Sequence, residues 1–175
     1  MNRSFYFFAD GLKEGGKLNF ISPTHGPMDF DDVFDDILNY AQANPEEKYL
    51  LIIGTDSQQH ENKGAVCYVT ALIVHRQGKG GRFFYRREMD RMSRSLRQRI
   101  FYETSRSLVL ASVLTEKLAD SGQDFNIEIH LDVGNNGATK NLIKEVVGMV
   151  VGSGFHARIK PESYGASSVA DKYTK

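Results

Sequence analysis

The stretch YLLIIGTDSQQH, residues 49–60, decides the fold. Leu50, Leu51, Ile52 and Ile53 follow one another without a polar break and read as a buried strand. The run then stops at Gly54-Thr55-Asp56-Ser57. A carboxylate at the mouth of such a strand is costly unless something pairs with it. Asp56 therefore points to a hydrogen-bonded turn, a salt bridge or a cation.

Strands continue on the C-terminal side. HENKG (60–64) is a turn, AVCYVTALIVH (65–75) a long β-branched second strand, QGKGG (77–81) another turn and RFFYRRE (82–88) a third strand. Turns this short argue for an antiparallel meander. A long helix is expected from about Ser93 to about Leu118, with Ile100, Phe101, Thr104, Leu108, Ala111 and Leu114 as its inward stripe. FNIEIHLDV (125–133) alternates apolar and polar residues and reads as a fourth strand. ATKNLIKEVVGMVVGSG (138–154) reads as a second helix, with Leu142, Val146, Val147 and Val150 inward. HARIKPE (156–162) is a short fifth strand, and SYGASSVADKYTK (163–175) starts a further helix.

On the N-terminal side, Phe30, Val33, Phe34, Ile37 and Leu38 recur at helical spacing and predict a helix over 29–44 that stops before Pro45. Asp29, Asp31 and Asp32 crowd its start, where the helix dipole favours anions; capping and solvation explain them better than metal binding. Residues 1–28 form an arm of aromatic residues and glycine-rich turns with the character of a short hairpin. The expected organisation is a single domain over 1–175: arm 1–28, added helix 29–44 and core 49–175.

Composition fits that picture. Hydrophobic residues make up 41% of the chain and charged residues 25%, as in an ordinary soluble domain. The longest apolar stretches are far too short to cross a bilayer, so no membrane partner is expected. FYFF lacks the basic flank and longer apolar core of a signal peptide. The single cysteine, Cys67, excludes an internal disulfide, fits a cytoplasmic location and reads as an inert buried thiol.

The formal charge of zero hides an uneven distribution. Residues 1–60 hold 10 acidic and 4 basic residues, whereas residues 61–121 hold 6 acidic and 12 basic. Much of the basic excess is Arg82, Arg86, Arg87, Arg91, Arg94, Arg97 and Arg99. Two readings of this run stand side by side. It is a phosphate-binding patch, since the arginine fork suits phosphate, or a solvated face paired with Glu88 and Asp90.

The element order β-β-β-α-β-α-β, with helices on the faces of a mixed five-stranded α/β sheet, resembles that of the ribonuclease H fold. In that fold the fourth strand lies beside the first, which would bring Asp56 and Asp132 together. Two adjacent carboxylates raise each other's pKa unless a cation intervenes, and carboxylate oxygens suit Mg²⁺ or Mn²⁺.

IIGTDSQ, RIFYETSRSL, LDVGNNGATK and ASSVADKYTK are similar to the motifs of the YkuK-like family of predicted ribonuclease H-related nucleases. The similarity extends from about Asp29 onward. It implies that Asp56, Glu103 and Asp132 are catalytic metal ligands. Asp171 falls near a fourth acidic position, its other reading being a plain exposed residue. Taken alone, Asp56 is also a turn cap, Glu103 a partner of Arg99 or Arg106, and Asp132 a helix cap. Thr55 and Ser57 are expected to support Asp56 by hydrogen bonds. Only four residues follow Asp171, where a ribonuclease H would continue its last helix. The helix 29–44, or a second copy of the chain in a homo-oligomer, is therefore expected to cover that face.

The nucleic acid contacts implied are Arg94 and Arg97 from the arginine run, Asn135 and Asn136 in the loop after Asp132, Lys140 at a helix start and Lys172 beside Asp171. His130 shares a strand face with Asp132 and reads as a sheet residue rather than a ligand, while His60 is a candidate proton shuttle. The reading that follows is a two-metal phosphodiesterase acting on RNA, DNA or a hybrid. The rival is a non-catalytic nucleic-acid-binding module on the same fold. An actin-like phosphotransferase, suggested by LDVGNNG, would need two copies of the fold and far more chain.

Overall fold

The computed structural model describes residues 18–91 and 94–175. A short hairpin comes first: β1 (Asn19–Ser22) and β2 (Gly26–Asp29). Ser22 Oγ accepts hydrogen bonds from the backbone of Thr24 and His25 and so shapes its turn. Helix α1 (Phe30–Gln42) follows at once. It is capped by Asp29, whose carboxylate accepts from the Asp32 N–H at 2.9 Å, with Asp31 and Asp32 in the first turn as the dipole favours. The meander is β3 (Tyr49–His60), β4 (Ala65–Arg76) and β5 (Gly81–Asp90).

Helix α2 (Leu96–Ser121) opens on a reciprocal cap between Ser95 and Gln98 and stops at Gly122. Ser93, where the expected helix begins, lies outside the described residues. Then come β6 (Asn126–His130), α3 (Ile143–Gly152) and β7 (His156–Arg158). The tail closes with a π-helical turn over Gly165–Ala170 and a 3₁₀ turn over Asp171–Tyr173.

All strands lie in one sheet of order β2-β1-β5-β4-β3-β6-β7. The meander pairs antiparallel, while β6 lies parallel to β3 and β7 parallel to β6. The sequence leads to five strands, and the sheet has seven. The two extra ones are the hairpin, whose Ile21 pairs with Tyr85 on the outer edge of β5. Of the arm, only Leu18 onward is described, and the aromatic stretch of residues 5–8 lies outside the described residues.

The two faces are covered differently from expectation. Leu51 and Ile53 of β3 and Leu72 and Val74 of β4 join the main core with Phe30, Val33, Phe34 and Ile37 of α1 and Leu110 and Leu114 of α2. Helix α1 thus shares its face with α2, and does not cover the opposite one. That opposite face, with Cys67, Val69 and Ala71, is packed by the tail through Ala170, Val169 and Tyr173. The tail can lie this close because Gly54 has no side chain. A β-carbon there would run into the backbone of Gly165 and Ala166.

Gly54→Ala should therefore destabilise the protein by roughly 1–3 kcal/mol, the usual cost of forcing bulk into a packed interior. Urea unfolding measures it, and an unchanged midpoint would refute the close seating of the tail on β3.

Candidate active site

The parallel pairing of β3 and β6 sets Gly54 opposite His130. Asp56 and Asp132 each lie two residues further along; β6 has ended by then, but β3 runs on four residues past Asp56 in its pairing with β4, so Asp56 sits within the strand and not at its mouth. Alternation along β3 then sorts the neighbours of Asp56. Thr55 and Ser57 face α2: the Thr55 hydroxyl bonds Thr70 at 3.0 Å and Ser107 at 2.8 Å, and Ser57 Oγ donates to Glu103 Oε1 at 2.5 Å. Their side chains do not hold Asp56 as the sequence suggested, since successive residues of a strand point to opposite faces. Asp56 instead receives the Ser57 backbone N–H and meets Asp171 of the tail.

Asp56 is only 7% exposed. Burial, the neighbouring Asp132 and Asp171 charges, and a hydrogen-bonding contact with Asp171 lift its pKa from an ordinary 3.8 to about 7; the Ser57 N–H opposes the rise.

Glu103, held inside α2, lies well above the usual carboxylate range. Burial is the main cause, Asp56 and Asp132 add to it, and Ser57 and Arg99 pull the other way. Its hydrogen-bond partner is Ser57 rather than the arginines expected at helical spacing. Arg106 pairs with Glu88 and lies over Tyr68, while Arg99 donates from Nη1 to the Ser57 carbonyl at 3.2 Å and to Ser57 Oγ at 3.3 Å.

The four expected acids thus come from four separate elements and act on one another electrostatically. Each is also engaged locally: Glu103 by Ser57, Asp132 by Lys160 at 2.9 Å, and Asp171 by Lys175 at 3.7 Å. Among the described residues, no three Asp, Glu, His or Cys side chains stand as a ready-formed metal-ligand group. The donor set is nonetheless all carboxylate, crowded and short of positive charge around Asp56, which fits a hard divalent cation.

Arg94 Nε donates to Asp90 at 2.8 Å and its guanidinium lies 4.1 Å from the Tyr102 ring centre. Arg97 makes a two-pronged pair with Glu145 of α3 and lies over Phe101. Arg82 and Arg86 pair with Asp36 and Glu88. The arginine run is therefore in large part a set of internal ion pairs. Asn135, Asn136 and Lys140 are exposed in and after the loop that follows Asp132, and exposed Lys172 approaches the Tyr173 ring.

His130 is fully buried. Its Nδ1 accepts the Gly165 N–H at 3.1 Å, so its proton sits on Nε2, facing Glu128 Oε2 at 3.2 Å. It ties the tail to β6 and is a sheet residue, as expected. His60 stands at the far end of β3, four residues beyond Asp56, roughly 13 Å along the strand. Sequence reasoning missed Lys160, which no local pattern marks. It also saw Arg99 only as a phosphate or salt-bridge candidate, where its place four residues before Glu103 puts it on Ser57.

Comparison with known proteins agrees with this architecture. The profile of the family described as Ribonuclease H-like matches residues 32–175. The chain is 37% identical over 168 residues to "Uncharacterized protein YkuK" of Bacillus subtilis (strain 168), covering 89% of this chain and 96% of that protein. No solved structure matches it significantly. No described helix is long and apolar enough to cross a membrane. With β6 parallel to β3 and this extent of similarity, the chain belongs to the ribonuclease H-like family and is a relative of YkuK.

Proposed function

We propose that the protein is a nuclease that hydrolyses phosphodiester bonds with Mg²⁺ or Mn²⁺, held by Asp56, Glu103, Asp132 and Asp171. The observation that carries this reading is the crowding at Asp56. A buried carboxylate with two further carboxylates against it is unfavourable in the bare protein. Such an arrangement suits a cation better than it suits folding.

A bound pair of such ions would supply an activated water and stabilise the leaving oxygen. The chain's own residues prepare the site. Asp56 lies between Asp132 and Asp171 and is the acid placed to bridge. Ser57 Oγ fixes Glu103 Oε1, leaving Oε2 as the oxygen available to a cation. Arg99 tethers Ser57 by its backbone carbonyl and hydroxyl, so the Ser57–Glu103 contact is held from outside the cluster. Exposed Asn135, Asn136 and Lys140, in and after the loop that follows Asp132, and exposed Lys172, next to Asp171 in the chain, are the contacts for a substrate strand, with Arg94 and Arg97 reaching it only by leaving their ion pairs. That internal pairing is the observation that favours the second reading, a binding module without catalysis.

The raised Asp56 fixes the sign of a pH effect. The folded protein keeps a proton that the unfolded chain releases above about pH 4, so this group's contribution to stability falls as pH rises from 3.8 toward 7. In EDTA, Asp56→Asn should therefore gain stability relative to the parent across that window, by about 1–3 kcal/mol at pH 8. Mn²⁺ at pH 8 should raise the parent's melting temperature and leave that of Asp56→Asn unmoved. Equal Mn²⁺ shifts in both proteins would remove Asp56 from the site.

Activity is tested on single-stranded RNA, an RNA–DNA hybrid and branched DNA. With Mn²⁺ or Mg²⁺ at least one should be cleaved, and Asp56→Asn, Glu103→Gln and Asp132→Asn should each lose cleavage by roughly 100-fold or more while remaining folded. Double variants should be scarcely worse than single ones, because residues working as a unit are non-additive. Cleavage that survives in all three single variants would belong to a contaminant. Salt-sensitive binding without cleavage of any substrate would favour the binding module.

A further inference from the structure

Lys160 reaches the acid cluster by a built path. Past the end of β6, the parallel pairing with β7 continues as Leu131 N–H to Arg158 carbonyl at 2.8 Å and Lys160 N–H to Val133 carbonyl at 2.9 Å. These bonds fix the backbone of Lys160 beside the loop that carries Asp132. The lysine stem then lies across Gly134. A β-carbon on Gly134 would stand 3.1 Å from Lys160 Cβ, tighter than ordinary contact, and 3.5 Å from Cδ. The glycine of LDVG thus makes room for this side chain, and no positive φ requires a glycine there. At the end of the stem, Nζ stands 2.9 Å from Asp132 Oδ1, an ion pair outside hydrogen-bonding geometry, with the lysine side chain 47% exposed.

We propose that Lys160 is the built-in counter-ion of the carboxylate cluster: it neutralises Asp132 in the metal-free protein and competes for that oxygen with an incoming divalent cation. The inference rests on the metal-site reading above. The carboxylates that act on Asp56 and Glu103 repel one another, and a single flexible ammonium relieves part of that repulsion. The lysine side chain is half-open to water and its contact with the buried Asp132 Oδ1 lacks hydrogen-bonding geometry, so the ammonium is held loosely and has solvent to move into when displaced. Lysine suits this role better than arginine would: it is a point charge on a flexible stem that holds its acid without a rigid two-pronged fork. Occupation of the centre by a divalent ion is then coupled to release of Lys160 from Asp132.

The test compares the parent, Lys160→Met and Gly134→Ala by titration calorimetry with MnCl₂, and by melting in EDTA and in saturating Mn²⁺. Lys160→Met should bind Mn²⁺ more tightly, by roughly two- to fivefold, the size of a partly exposed ion pair. It should melt below the parent in EDTA, and that deficit should close when Mn²⁺ is saturating. Gly134→Ala, which pushes the stem aside, should shift Mn²⁺ affinity in the same direction. Lys160→Arg should restore the parent's melting temperature in EDTA. A parent that binds Mn²⁺ and a Lys160→Met variant of equal affinity would overturn the inference alone. So would a melting deficit of the same size with and without Mn²⁺, which is what mere packing on Gly134 would produce. Absence of Mn²⁺ binding in both parent and variants would overturn the metal-site reading and this inference with it.

Discussion

Strand β3 is confined from four directions, and the rest of the molecule is arranged around that confinement. It pairs with β4 on one edge and β6 on the other. Helix α2 lies on one face through Thr55 and Ser57, and the tail lies on the other against Gly54. Residues from Leu51 to Ser57 are buried without interruption as a result. A strand in this position cannot slip by one residue, because that would exchange its two faces. Asp56 is therefore held with little freedom at the point where the two covers and the neighbouring strand meet.

That confinement sets the electrostatics. Glu103 arrives from α2, Asp132 from the end of β6 and Asp171 from the tail, so the layers that bury Asp56 are also the ones that bring negative charge to it. In the bare protein the strain is relieved piecemeal. The Ser57 N–H opposes the rise at Asp56, the Ser57 hydroxyl, itself tethered by Arg99, donates to Glu103, and Lys160 stands on Asp132. A cation at the centre would replace these separate measures by one.

Much of this was legible in the sequence, and the losses have physical reasons. The meander, the long helix and the adjacency of the strands that lead to Asp56 and Asp132 follow from apolar runs and element order, whereas Glu103 was singled out by the resemblance of its motif to that of the family. The amphipathic stripe of α1 shows that Phe34 and Ile37 are buried, but not against which face of the sheet. The tail was read as too short to cover anything because its contact surface is Gly165, Ala166 and Ala170, small residues that produce almost no hydrophobic signal. The arginine run left two readings open, and its pairs with Glu88 and Asp90 agree with one of them. Composition counts charges and cannot see that Arg97 meets Glu145 forty-eight residues away, or that Arg82 meets Asp36 of α1. Lys160 was invisible because its approach to Asp132 is made by strand pairing, not by spacing.

The central claim is that the carboxylates of β3, α2, β6 and the tail are the walls of one cation site. The most direct measurement is a crystal soaked in Mn²⁺ and read by anomalous scattering. A peak is expected at about 2.0–2.3 Å from an Asp56 carboxylate oxygen, the range of hard divalent ions on oxygen. That peak should be shared with at least one of Glu103, Asp132 and Asp171, with the Lys160 ammonium displaced from Asp132. A soaked crystal with no peak at these residues, and with Lys160 still on Asp132, would contradict it.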